Sequence, residues 1–155
     1  MKKLLFLLVF IPLVSFGQVT ELNDLLDITS LNQFKRICIE NGYEKIKAED
    51  ETKIIEYMLS PTYEDEEIVS TRGIAYYYID DGSWRIGFPE NFLGLNIFYD
   101  DLFEEVKENC DFVDIVERKE LEFATYNCSP NGAIGFTESE GWGIVHFFSN
   151  KKPKP

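Results

Sequence analysis

The sequence predicts an α+β fold: two tandem helix-plus-four-strand repeats whose strands form one antiparallel sheet with both helices on one face. Three observations predict it. Of 155 residues, 45% are hydrophobic and 15% aromatic, enough for a real core and too many for a disordered chain. Apolar residues recur at helical spacing in two stretches and alternate at strand spacing in several others. The chain also matches itself when displaced, the signature to seek before any motif.

At a shift of 69, Phe34 falls on Phe103, Ile46 on Ile115, Tyr57 on Tyr126 and Ser60-Pro61 on Ser129-Pro130. Further on the shift becomes 58, placing Ala75 on Ala133, Trp84 on Trp142 and Ile86 on Ile144. The difference is an 11-residue insertion, and the stretch from Thr62 to Arg72 fits it. The expected organisation is a leader over 1–17, a first repeat over 18–90 with the acidic insertion at 62–72, a second repeat over 91–149, and a basic tail over 150–155.

The elements follow in order. Met1-Lys2-Lys3 is a positive n-region, Leu4 to Val14 an apolar h-region, and Ser15-Phe16-Gly17 a cleavage site before Gln18. That apolar run falls short of the about 20 residues that cross a bilayer, so a signal peptide is expected and the product should be exported, to periplasm or medium. Ser30 and Gln33 have capping-box spacing, so a helix begins after Ser30, and Asn41-Gly42 ends it. Asp101 and Glu104 imitate that cap in the second unit. Strands are expected over Tyr43–Ala48, Lys53–Ser60, Gly73–Ile79 and Trp84–Phe88, then Phe112–Glu117, Glu122–Ser129, Ala133–Thr137 and Gly143–Phe148. Asp80-Asp81-Gly82-Ser83 and Glu140-Gly141 read as hairpin turns.

Strand residues alternate faces, so the two units together orient the sheet. Ile55, Tyr57 and Leu59, with Ala124, Tyr126 and Cys128, are expected to face the core; so are Tyr76, Tyr78, Ile134 and Phe136, and Trp84, Ile86 and Phe88 with Trp142, Ile144 and His146. The opposite, open face would then present Glu56, Met58, Tyr77, Ile79, Arg85, Phe123 and Phe147. Exposed aromatic, Met and Arg residues are the usual anchors of protein interfaces.

This order of elements resembles the β-lactamase-inhibitor-protein-like fold, also two helix-plus-four-strand repeats in an exported chain. The resemblance covers most of the mature chain and rests on architecture, with no diagnostic motif. It implies an open concave sheet face that grips a target enzyme, and it assigns no role to any residue.

Chemistry is sparse. Acidic residues outnumber basic ones 28 to 15, for a net charge of -13, a surface that repels nucleic acid and anionic lipid. His146 is the single histidine, so neither a metal site nor a cofactor is expected. Glu64-Asp65-Glu66-Glu67 lacks the spaced ligands and turn glycine of a calcium loop. Cys110 and Cys128 are the candidate disulfide, closing a loop of 18 residues; pairing through Cys38, an intermolecular bond, or three reduced buried thiols are the alternatives. The expected function is an exported, monomeric, non-enzymatic protein that binds a protein partner through the open sheet face, as an inhibitor of an envelope or extracellular enzyme. Two rivals stand beside it. One is a small-molecule carrier or hydrolase with a site between helices and sheet, lined by Tyr57, Tyr126 and His146. The other is a structural envelope protein.

Overall fold

The computed structural model describes residues 21–46, 53–91 and 93–150; the expected leader and the tail beyond Asn150 lie outside them. A short helix α1 (Leu22–Leu26), not anticipated from the sequence, buries Leu22 and Leu25. Ser30 then starts α2 (Leu31–Glu40): its Oγ accepts the Gln33 N–H at 3.3 Å, and Gln33 Oε1 reaches back to accept the Thr29 N–H at 3.1 Å. This is a capping exchange with the return leg moved one residue upstream. Gly42, at φ +78°, ends the helix where a side chain would be strained.

Ten strands follow: β1 (Tyr43–Lys45), β2 (Ile54–Leu59), β3 (Thr62–Glu64), β4 (Glu67–Ser70), β5 (Gly73–Tyr78), β6 (Trp84–Pro89), then, after α3 (Ile97–Asn109), β7 (Asp111–Arg118), β8 (Leu121–Ser129), β9 (Gly132–Ser139) and β10 (Trp142–Ser149). The start of α3 departs from the sequence reading. Asn96 caps it, its Oδ1 accepting the Tyr99 N–H while its amide donates to Phe88 O on β6, so Asp101 and Glu104 lie inside the helix. A buried amide tied to a strand fixes the helix start more firmly than a surface carboxylate does.

Eight strands make one antiparallel sheet in the order β1-β2-β5-β6-β10-β9-β8-β7. Each half of the chain is a meander running inward from an edge, and the two innermost strands, β6 and β10, pair at the centre with Ile86 opposite Val145. β3 and β4 form a separate hairpin within the stretch expected to be an insertion, turned at Asp65-Glu66, both at positive φ. Two-residue turns with positive φ at both positions also join β7 to β8 (Lys119-Glu120) and β9 to β10 (Glu140-Gly141), matching the twist of the strands they connect.

The two longer helices, α2 and α3, lie on one face. Phe34 of α2 packs on Tyr57 of β2 and Tyr77 of β5, with ring centroids 5.9 and 5.4 Å apart. Tyr99 and Phe103 of α3 pack on Phe136 of β9. Where the halves meet, Trp84 stacks on Phe147 at 5.4 Å and donates its indole N–H to Ile28 O. Fully burying a side chain such as Phe34 contributes roughly 1.5–3 kcal/mol, so this layer dominates the stability.

The cross-strand register corrects the expected faces in β5 and β10. Tyr77 lies opposite Ile55 and Trp84, and Phe147 opposite Trp84 and Ile134, so both belong to the helix-side core rather than the open face. Tyr76, Tyr78, Trp142, Ile144 and His146 point the other way. Matching Trp84 to Trp142 put β10 one residue out of phase, and a one-residue slip in a strand exchanges its two faces.

The second face is concave. Arg118, at the end of edge strand β7, donates to Asp81 Oδ2 at 2.7 Å in the turn after β5, five places across the sheet. Glycines on this face permit such coiling: a Cβ at Gly135 would stand 2.6 Å from the Phe148 ring and 2.9 Å from Phe123 Cβ.

Candidate functional site

A row of side chains crosses the concave face on adjacent strands. Glu56 of β2 lies opposite Tyr76 of β5, Tyr76 opposite Arg85 of β6, Arg85 opposite His146 of β10, and His146 opposite Gly135 of β9. In-register neighbours of this kind have Cβ atoms about 4.5–5.5 Å apart, so the row acts as one polar stripe. Half-buried apolar residues flank it, among them Met58, Ile74 and Ile144 on one side and Tyr78 and Phe148 on the other.

Each member of the stripe has a distinct electrostatic setting. Burial raises the pKa of Glu56, opposed by the hydrogen bond the Tyr76 hydroxyl donates to it. Burial, then the Glu56 charge, pushes Tyr76 up to about 12. Burial drives His146 down to about 2, with Arg118, Arg85 and Lys119 adding repulsion and Asp81 opposing them. The imidazole is therefore neutral at physiological pH. It is enclosed by aromatic rings, 4.5 Å from Phe148, 5.6 Å from Phe123 and 5.9 Å from Tyr78.

Asp81 ties the turn after β5 to the end of β7. Burial works against its carboxylate, but hydrogen bonds from Ser83 and Arg118 hold its pKa below the ordinary value. The Arg118 guanidinium lies over the Tyr78 ring at 5.4 Å, and the Lys119 ammonium over the same ring at 4.7 Å. Arg85 stands over the Phe123 ring at 5.5 Å.

Of the residues expected on the open face, Glu56, Met58 and Arg85 lie on the concave side, half-buried. Phe123 is on that side but fully buried beneath Arg85 and Phe148. Tyr77 and Phe147 are in the helix-side core, and Ile79 follows β5, exposed, its N–H donating to Lys53 O. Tyr76, Tyr78, Ile144 and Phe148 were missed; the turn glycines Gly82 and Gly141, aligned on each other, would have phased β10 correctly.

The three residues expected to share a pocket between helices and sheet do not share one: Tyr57 and Tyr126 face the helices and His146 faces away. A half-open cleft of 380 Å³ lies elsewhere, between Thr71-Arg72 and the segment Leu95–Phe98. Cys110 and Cys128 form a disulfide joining the end of α3 to β8. Cys38 is buried, and burial pushes its thiol up to about 12, far from the thiolate a nucleophile requires. Comparison with known proteins finds no matching family model, no similar curated protein and no similar solved structure. No helix among the described residues is long and apolar enough to cross a membrane.

Proposed function

We propose that the protein is an exported, non-enzymatic binder that holds a protein partner on its concave sheet face, as an inhibitor or mask of an envelope or extracellular enzyme. One observation carries this reading: α2 and α3 pack on the opposite side of the sheet, while half-buried apolar and aromatic side chains flank a charged stripe on this one. A half-buried apolar surface with aromatic and arginine residues at its centre has the composition of an interface. The leader at 1–17 supports export. Duplication is part of the proposal: at a shift of 59, Gly73 meets Gly132, Tyr77 meets Phe136, Ile86 meets Val145 and Phe88 meets Phe147, each pair on the helix side. So is kinship with the β-lactamase-inhibitor-protein-like architecture.

The test is capture from envelope and culture-medium extracts by the immobilised secreted chain, beside an Ile144→Asp variant. One protein retained by the wild type and lost with the variant, at unchanged melting temperature, is the expected result. A partner held equally by both overturns the face. The cleft beside Leu95, Ile97 and Phe98 favours a second reading, carriage of a small apolar ligand. That reading predicts binding lost with Phe98→Asp and indifferent to Ile144→Asp.

A further inference from the structure

The concave face gathers three cations, of which Arg118 is paired with Asp81. Arg85, Arg118 and Lys119 all act on the His146 ring, in a chain whose net charge is -13. The carboxylates nearby are already engaged: Asp81 accepts from Arg118 and Ser83, and Glu56 accepts from Tyr76. Arg85 is left over. Its Nε and Nη2 are buried with no hydrogen-bond partner among the described residues, and His146, directly opposite on β10 and 0% exposed, has neither ring nitrogen bonded.

Buried donors without acceptors are costly in a folded protein, and those on a charged group are the costliest. A methionine would fill the place of the Arg85 stem and cover Phe123 without that cost. Unlike the lone Tyr43 hydroxyl, the unmatched donors at Arg85 belong to a charged group that stands beside a second unbonded side chain, His146, and together they call for an acceptor from outside.

We propose that Arg85 anchors a single carboxylate, the side chain of an aspartate or glutamate on the partner protein, seated beside Tyr76 on the concave face. The proposal rests on the binding reading above and names the chemistry of the partner. A carboxylate matches the guanidinium in charge and supplies the acceptor it lacks, in surroundings where aromatic walls strengthen the pair. The neutral His146 ring keeps a donor nearby without competing for the negative charge. A polyanion is disfavoured because the rest of the surface repels it, whereas one carboxylate meets only the local field.

The test uses the full secreted chain, isotopically labelled, with the Arg85 Nε–H and His146 ring signals followed by NMR. The probes are N-acetylglutamic acid α-amide, which carries one side-chain carboxylate, its neutral glutamine twin, and inorganic phosphate. The glutamate probe should give a saturable, salt-sensitive shift that the glutamine twin lacks. In Arg85→Met that shift should disappear while the melting temperature stays level or rises. No saturable shift with glutamate overturns the proposal, as does a response to phosphate alone. A marked fall in the melting temperature of Arg85→Met makes the residue structural and overturns it too. Partner capture separates the two failures. A partner retained by Arg85→Met but lost with Ile144→Asp removes the anchor and leaves the face. Glutamate binding with no partner retained by the wild type overturns the protein source of the carboxylate together with the binding reading.

Discussion

The two outer edges of the sheet are finished in opposite ways. β1 is three residues long, and α2 lies over it, leaving Tyr43 4% exposed. β7 is eight residues long, and α3, seated over β8 and β10, stops short of it, leaving Phe112 57% exposed with Val113 and Ile115 beside it. Tyr43 and Phe112 correspond at a shift of 69, so similar residues meet opposite fates because of where the helix sits. Covalent and polar devices take the place of packing at β7. The disulfide ties its start to β8, a bulge interrupts the ladder between Phe112 and Asp114, and the Asp114 carboxylate accepts the Ile115 N–H at 2.8 Å. An edge whose donor is already occupied is a poor template for another strand.

The largest effect expected from this contrast is in side-chain truncation. Tyr43→Ala should destabilise by about 3–5 kcal/mol in denaturant titration, the range for emptying a core aromatic site, and Phe112→Ala by about 0.5 kcal/mol or less. Comparable losses at both positions would break the comparison. The Tyr43 hydroxyl is buried with no partner among the described residues, so Tyr43→Phe should be neutral or stabilising.

Next comes the disulfide. Cys110→Ala with Cys128→Ala should lower stability by about 3 kcal/mol, with amide exchange accelerating in β7 and the adjoining part of β8 and unchanged in β1. Faster exchange in β1 as well would mean that the edges are coupled.

Acid should loosen the β7 side first. His146 takes a proton near pH 6.5 when unfolded but is held down to about 2 in the fold, so between those values the unfolded state binds more protons and stability falls as pH falls. The slope contributed is at most about 1.4 kcal/mol per pH unit below 6.5. Asp81, its carboxylate pKa lowered in the fold, contributes stability at neutral pH that is also lost on acidification, and it releases Arg118 when it protonates. Chemical denaturation across pH, with His146→Leu, should show a flatter slope for the variant; equal slopes would assign the acid sensitivity elsewhere. The smallest effect concerns the edge itself: Asp114→Ala, by freeing the Ile115 N–H, should raise self-association slightly in sedimentation velocity, whereas a change at Glu44 of β1 should not.

Local signals made much of the fold legible. Ser30 and Gln33 marked a helix start, Asp80 to Ser83 and Glu140-Gly141 marked hairpins, and the alternation in β2 put Ile55, Tyr57 and Leu59 on the core side where they lie. The start of α3 was not legible because Ile97 and Phe98 are exposed apolar residues in its first turn, which blurs the helical stripe. The concave face was half legible. Glu56, Met58 and Arg85 were identified, but phasing β10 on tryptophans, which differ in burial, hid Ile144 and Phe148 and misplaced Tyr77 and Phe147. Nothing in a one-dimensional pattern shows that Arg118 reaches Asp81, because that contact exists only once the sheet has coiled.

The pairing of β6 with β10 has a consequence for the order of events along the chain. Every other pair in the large sheet joins strands that follow one another in it, so each half can zip up from its own hairpins. The central pair must wait. β6 is made more than fifty residues before β10, the last of the described strands, and until β10 arrives β6 keeps an unpaired inner edge and Trp84 lacks the Phe147 ring it stacks on. The middle of the large sheet is thus the last part of it to close.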